Sequence, residues 1–243
     1  MINFEIKIMK KNLRLTLCTL SVLFASNSVI AGDWSSTITG ASDYTFNGIS
    51  QTDNDFALQA SLDYSNSKTN WYAGSWASNV DFSDGTDTEV DVYFGRTFSL
   101  TDAVSLDVGI AYYSYYGGDD SSDLNYPEAY TKFGFDNALG TTEFNFWYSW
   151  DYAGQDEKHT ITTLSHTFEV AENHDISVSY TVSNYVGGDV KWDETNSSYH
   201  HYEIAYSTSL SGFDLSIAAE DTSIDSDTSD ERIAFSVSRT FEF

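Results

Sequence analysis

From residue 34 to residue 243, apolar and polar side chains alternate with a period of two, and no other feature constrains the fold as strongly. Phe56, Leu58, Ala60, Leu62 and Tyr64 share one face, opposed by Ala57, Gln59, Ser61 and Asp63. Val104, Leu106, Val108, Ile110 and Tyr112 oppose Ser105, Asp107 and Gly109, while Phe144, Phe146, Tyr148 and Trp150 oppose Glu143, Asn145, Trp147 and Ser149. Side chains two apart share a face only in an extended strand, and a helical period is hard to find.

Twelve strands are predicted, at 34–46, 56–64, 71–82, 88–98, 104–116, 124–135, 141–151, 159–169, 176–185, 198–210, 213–221 and 231–243. Most have the roughly 9–11 residues that cross a bilayer at a steep tilt. The connections at 65–70, 99–103, 136–140, 170–175 and 211–212 are compact. The alternate ones, such as 117–123, 186–197 and 222–230, are longer, acidic and rich in Gly, Ser and Asp. Short turns on one rim and longer loops on the other describe an outer-membrane barrel, and an even count returns both termini to one rim. The expected fold is therefore all-β, an antiparallel transmembrane β-barrel of twelve strands. A soluble β-sandwich also alternates, but one of this size uses more prolines at turns and edges than the lone Pro127. The mean hydropathy of -0.33 does not oppose a barrel, whose lumen-facing residues dilute the average. The final strand is amphipathic and ends in Phe243, similar to the signal read by the bacterial outer-membrane assembly machinery, an expected partner.

Ahead of the strands, Lys7, Lys10, Lys11 and Arg14 precede an apolar run at 15–24, and Val29-Ile30-Ala31 places small residues at a cleavage site. Residues 1–31 therefore read as a secretory signal peptide, beginning at Met1 or Met9, with the barrel at 32–243. The apolar core is too short to span a bilayer. Cys18, the only cysteine, lies inside it after Leu17 rather than after a small residue, which argues against lipidation and excludes an internal disulfide.

The chain carries 37 acidic against 11 basic residues, a net charge of -26 that repels nucleic-acid phosphates. Phase places Asp43, Asp63, Asp81, Glu89, Asp91, Asp107, Glu128, Glu143, Glu203, Asp214 and Glu220 on the inward face, with Lys132 as the main opposing charge. Twelve strands about 4.8 Å apart, tilted near 40°, give a backbone diameter of roughly 24 Å, and wall side chains leave ~10 Å. Rings of carboxylates favour cations, so these residues are the candidate pore lining of a porin-like channel for small cationic solutes. The competing readings are a non-conducting barrel that anchors the membrane or displays its loops to a partner, and an outer-membrane hydrolase. No cofactor or dedicated metal site is expected. The acidic loops attract cations or bridge through divalent ions to lipopolysaccharide, the expected partner beside outer-membrane lipid. The run Asp225 to Asp230 lacks the turn glycine and closing glutamate of a calcium loop.

On the lipid face, Arg96 and Arg239 lie near strand ends, where a guanidinium can snorkel. The face Thr160, Thr162, Leu164, His166 and Phe168 is barely apolar, leaving its register weakly specified. Arg96-Thr97-Phe98 is echoed by His166-Thr167-Phe168 and Arg239-Thr240-Phe241. The echo fits a four-strand unit used three times, or a shared need of strand ends at the membrane interface. For a hydrolase, His200 and His201 near Glu203, and His159 near Asp156 and Glu157, are the candidates. There is no G-x-S-x-G turn and no H-E-x-x-H pair, and neutral, exposed loop histidines are the expectation.

The stretch from Ser42-Asp43-Tyr44-Thr45-Phe46-Asn47-Gly48 to Ile49-Ser50-Gln51-Thr52, with Ala57 to Tyr64, resembles the opening signature of the TorF-type porins, the Gcw_chp family. The stretch from Trp71 to Phe82 is similar to that family's second block, and Glu89-Val90-Asp91-Val92-Tyr93 and Glu128-Ala129-Tyr130 to later ones. The resemblance implies an outer-membrane β-barrel assigned as a porin, with no catalytic residues to carry over. Asn47, Phe56 and Ala60 stand where the family usually has arginine, proline and glycine. The missing cation at 47 makes that end of the first strand less attractive to anions.

Overall fold

A computed structural model describes residues 33–187 and 190–243. The expected signal peptide lies outside the described residues. Among the described residues fourteen strands are present: β1 (Asp33–Ala41), β2 (Thr45–Phe46), β3 (Ile49–Ser50), β4 (Ala57–Asn66), β5 (Trp71–Asn79), β6 (Thr88–Ser99) and β7 (Val104–Tyr116). They continue with β8 (Tyr126–Asn137), β9 (Gly140–Ser149), β10 (His159–Ala171), β11 (His174–Tyr185), β12 (Ser198–Leu210), β13 (Phe213–Thr222) and β14 (Arg232–Glu242). Twelve of them form one closed antiparallel barrel in which sequence neighbours pair, and β1 closes the ring against β14. Closure leaves no unpaired edge, which a sandwich cannot achieve. The remaining two, β2 and β3, form a separate hairpin.

The turns at 67–70, 100–103, 138–139, 172–173 and 211–212 lie on the rim that also holds both ends of the barrel chain. Their chemistry is local: Ser211 (φ 54°) and Gly212 (φ 80°) both take the positive φ that a two-residue hairpin loop demands. The opposite rim carries the longer connections, including short 3-10 turns at Ser121–Leu124 and Tyr152–Gly154. Pro127 sits near the loop-side start of β8, before pairing with β9 begins at Ala129, so its missing N–H costs that ladder nothing.

Two strand expectations are corrected. The strand predicted at 34–46 ends at Ala41, because Asn47 (φ 50°) and Gly48 (φ 83°) make their own hairpin turn and draw Tyr44 and Phe46 off the wall. The strand predicted at 71–82 ends at Asn79, and Asp81 lies exposed in the loop to β6, its N–H bonded to the Gln51 carbonyl.

Outward positions form an apolar band, with Leu58, Val92, Phe94, Ile110, Leu164, Ile204 and Phe235 all exposed. The three echoed segments sit at turn-rim ends of β6, β10 and β14 and share a local arrangement. Arg96 lies over Phe98 at 4.8 Å and Trp71 at 5.3 Å, and Arg239 over Phe213 at 5.1 Å and Phe241 at 5.2 Å. His166 packs edge-on to Phe168 at 4.2 Å. Each cation–π contact is worth about 0.5–1 kcal/mol at an exposed site. The weakly specified face of β10 is nevertheless in unbroken register with β9, and His166 Nδ1 meets the Thr142 hydroxyl at 2.8 Å.

Candidate functional site

The interior has two unlike walls. Strands β4 to β9 present carboxylates and tyrosines. Strands β10 and β11 present short hydroxyls: Thr163, Ser165, Ser177, Ser179, Thr181 and Ser183 are all buried. The large side chains of the first wall need room, and glycine supplies it. Gly74, Gly95 and Gly109 stand directly across from Tyr93, Tyr72 and Tyr130 in the ladders. A Cβ at Gly95 would lie 2.3 Å from the Tyr72 hydroxyl, and one at Gly74 would lie 2.5 Å from that of Tyr93. Each ring thus lies flat over its glycine, and the hydroxyls of Tyr93 and Tyr72 reach carboxylates. Tyr93 donates to Asp63, which also accepts from Ser61 at 2.7 Å. Tyr72 reaches Asp107 at 2.8 Å and also meets the Tyr130 hydroxyl. Lys132 stands opposite Asp107 in the ladder and lies 4.7 Å over Tyr130 and 4.8 Å over Trp147.

Nearer the loops, Glu89, Asp91 and Glu128 are almost fully buried. Glu89 accepts from the Tyr115 hydroxyl at 3.0 Å, whereas its second oxygen has no partner in hydrogen-bond geometry. Glu128 faces the Tyr113 hydroxyl, but no donor reaches its oxygens in hydrogen-bond geometry. Asp91 is 0% exposed, has no donor on either oxygen, and feels the charges of both neighbours.

The β2–β3 hairpin folds into this space. Phe46 packs edge-on to Tyr113 of β7 at 6.5 Å, while Gly48 presses on β12 and β13 across the barrel. A Cβ at Gly48 would lie 2.5 Å from Thr222 Cγ2 and 2.6 Å from His201 Cδ2. A narrow cavity remains between the tip residues Phe46 and Asn47, the Glu128–Lys132 wall and the Thr163–Ser165 wall. Arg232 anchors the hairpin's base, donating Nη1 to Asp43 at 2.8 Å and Nη2 to the Thr228 carbonyl at 2.6 Å. Asp43 in turn accepts from Ser50 at 2.6 Å and Thr52 at 2.9 Å. A cap of Tyr126, Tyr152, Tyr185 and Trp192 covers another part of the loop end, with Tyr152 stacked on His159 at 3.9 Å.

Of the residues read from sequence, Asp63, Glu89, Asp91, Asp107, Glu128, Glu143, Glu203 and Glu220 stand on the inward phase of barrel strands. Asp214 shares that phase but lies at the turn rim, bonded to Ser209. Asp43 belongs to the hairpin's base and Asp81 to an exposed loop. The histidines are corrected too. His159 and His201 are buried inside, bonded to Ser183 at 2.8 Å and Glu220 at 3.0 Å, because both fall on the inward phase. His200 faces outward against Tyr180. His159 Nδ1 has no partner among the described residues, so the His159–Ser183 pair lacks the acid of a hydrolase triad. Sequence reading passed over the tyrosine wall and Arg232.

A family model described as a bacterial protein of unknown function, Gcw_chp, matches residues 29–243. The chain belongs to the Gcw_chp family. Among solved structures, this Gcw_chp protein is similar to the KdgM porin, at 9% identity over 86% of this chain and 99% of that one, with a TM-score of 0.53. The KdgM porin in complex with disordered oligogalacturonate gives 6% identity, 87% and 99% coverage and a TM-score of 0.54. An outer membrane channel from Pseudomonas putida F1 gives 5%, 89% and 97%, and 0.52. At these identities the likeness is one of fold. No curated protein sequence matches the chain.

Proposed function

We propose that this Gcw_chp protein is an outer-membrane channel for small cationic solutes, passing them between the carboxylate–tyrosine wall and the hydroxyl wall and narrowed by the β2–β3 hairpin. The observation that carries the reading is Asp91, fully buried between Glu89 and Glu128 with no donor on either oxygen. A buried carboxylate without a donor costs several kcal/mol unless a bound proton or a positive charge neutralises it. A solute cation supplies that charge and gains from all three groups. The closed fold, the apolar exterior band and the TorF-type resemblance support the membrane setting. Oligogalacturonate, named with one of the similar porins, carries carboxylates of its own and would be repelled here.

The test is the reversal potential of the refolded mature barrel in a planar bilayer under a KCl gradient. A cation-selective potential that collapses toward zero in Asp91→Asn/Glu128→Gln supports the reading. Folded, heat-modifiable protein that never conducts overturns it and leaves a structural barrel.

A further inference from the structure

His201, Glu203 and Glu220 form a second cluster, apart from the Asp91 group, on β12 and β13. Glu203 and Glu220 are direct partners in the ladder and share the inward face. Like charges placed directly opposite destabilise a strand pair, so such a pair needs something to hold it. His201 lies two residues before Glu203 on the same face, with its Nε2 3.0 Å from Glu220 Oε2. One donor atom from each of the three residues lies within 4.8 Å of the other two. Glu220 is 5% exposed, and its Oε1 has no hydrogen-bond partner. The nearest cation, Arg232, keeps its Nε 3.9 Å from that oxygen because the guanidinium is turned to Asp43 and Thr228. The hairpin tip closes the cluster from inside, since Gly48 seats directly against the imidazole.

We propose that His201, Glu203 and Glu220 bind a divalent transition-metal ion, with Zn²⁺ best matched to the donor set, in the barrel wall beneath the hairpin tip. One imidazole and two carboxylates suit Zn²⁺, whereas Ca²⁺ and Mg²⁺ prefer oxygen alone. Donors around a tetrahedral zinc sit about 3.3–3.5 Å apart, given metal–ligand distances near 2.0–2.2 Å. Reaching that range requires His201 and Glu220 to part slightly from 3.0 Å and the widest of the three separations, within 4.8 Å, to close. The ion replaces the repulsion between Glu203 and Glu220 with two metal–oxygen bonds, and three protein donors leave one tetrahedral position for water. The site stands independently of conduction.

The experiment is a titration of the refolded mature barrel in detergent with Zn²⁺ against a chromophoric chelator, with Co²⁺ as a spectroscopic probe. One saturable site is expected, with the visible bands of tetrahedral cobalt. His201→Ala and the isosteric Glu203→Gln and Glu220→Gln are each expected to weaken it 100-fold or more and abolish those bands. Asp225→Asn/Asp227→Asn, in an acidic loop, leaves both unchanged. Heat modifiability reports that each variant is folded, and the glutamine variants keep the side-chain shape that alanine removes. Absence of a saturable wild-type site overturns the proposal, as does unchanged binding in folded His201→Ala and Glu220→Gln, or loss of the site in the loop variant.

Discussion

Replacing Arg232 by alanine should release the β2–β3 hairpin from the barrel mouth. Arg232 donates to Asp43 at 2.8 Å and to the Thr228 carbonyl at 2.6 Å, tying the hairpin's base to the loop before β14. The two side chains of the ion pair are only 10% and 8% exposed, so solvent screens the contact weakly. A hydrogen bond to a charged group contributes about 1.5–3 kcal/mol, and breaking a buried pair costs about 3–5. Asp43 keeps its bonds from Ser50 and Thr52 when Arg232 is lost, so the hydrogen-bond range applies and ~2–3 kcal/mol is the working figure. With 1.4 kcal/mol per tenfold, the ratio of hairpin-out to hairpin-in states rises about 30- to 140-fold. Single-channel recording reads this as longer dwell in a higher-conductance level. Arg232→Lys keeps the charge but loses the forked reach to Thr228, so it should fall between the two. If folded Arg232→Ala shows the conductance and dwell times of the unaltered barrel, the hairpin is not held by this contact or does not narrow the path.

Three further outcomes follow from the same geometry. Tyr93→Phe strips Asp63 of its phenol donor, and the barrel should lose about 1.5–3 kcal/mol of stability, read as a lower denaturant midpoint; an unchanged midpoint would show the bond to be worth nothing net. Lys132→Met removes the charge opposite Asp107, and cation selectivity should rise in the reversal-potential assay, whereas a fall would contradict the interior charge balance drawn above. In the β11–β12 loop, bonds from Asn196 and from the Thr195 amide and hydroxyl hold the Asp193 carboxyl down at about 2. Because the folded value is depressed, its contribution is complete above the unfolded value near 3.9 and is lost as pH falls through about 2. Pepsin cleavage of this loop should therefore rise over that window, and Asp193→Asn should remove the pH dependence.

The barrel was legible because every wall strand keeps its phase for nine or more residues, long enough to fix both its type and its facing. The errors fall where phase outlasts the strand. Tyr44 and Phe46 continue the alternation of β1, but Asn47-Gly48 is a hairpin turn dipeptide that was visible in the sequence and outweighed by the periodicity. Val80 and Phe82 carried the next strand too far in the same way. Within the site, the carboxylates were read because charges that recur on the phase opposite an apolar face are conspicuous. The tyrosines were not, since the ring suits the lipid interface as well as the lumen, and composition does not choose between them. Phase could have chosen: Tyr93 and Tyr113 share the faces of Asp91 and Tyr115, opposite Val92 and Tyr112. Arg232 was beyond this reasoning, because its partner Asp43 lies 189 residues away.

The seam between β1 and β14 governs how such a wall can be made. Thr37 and Thr240 share a hydrogen bond of 2.8 Å across 203 residues, and seven register pairs join the two strands. Every other ladder links strands adjacent in the barrel chain and can form as soon as both are present. The seam alone must wait for the whole ring to curl, so its loop-closure entropy is met last. Until then the sheet has two open edges, on β1 and β14, each a template for a foreign strand. A partner that occupied those edges during synthesis and yielded them only to each other would protect the chain at its most aggregation-prone moment.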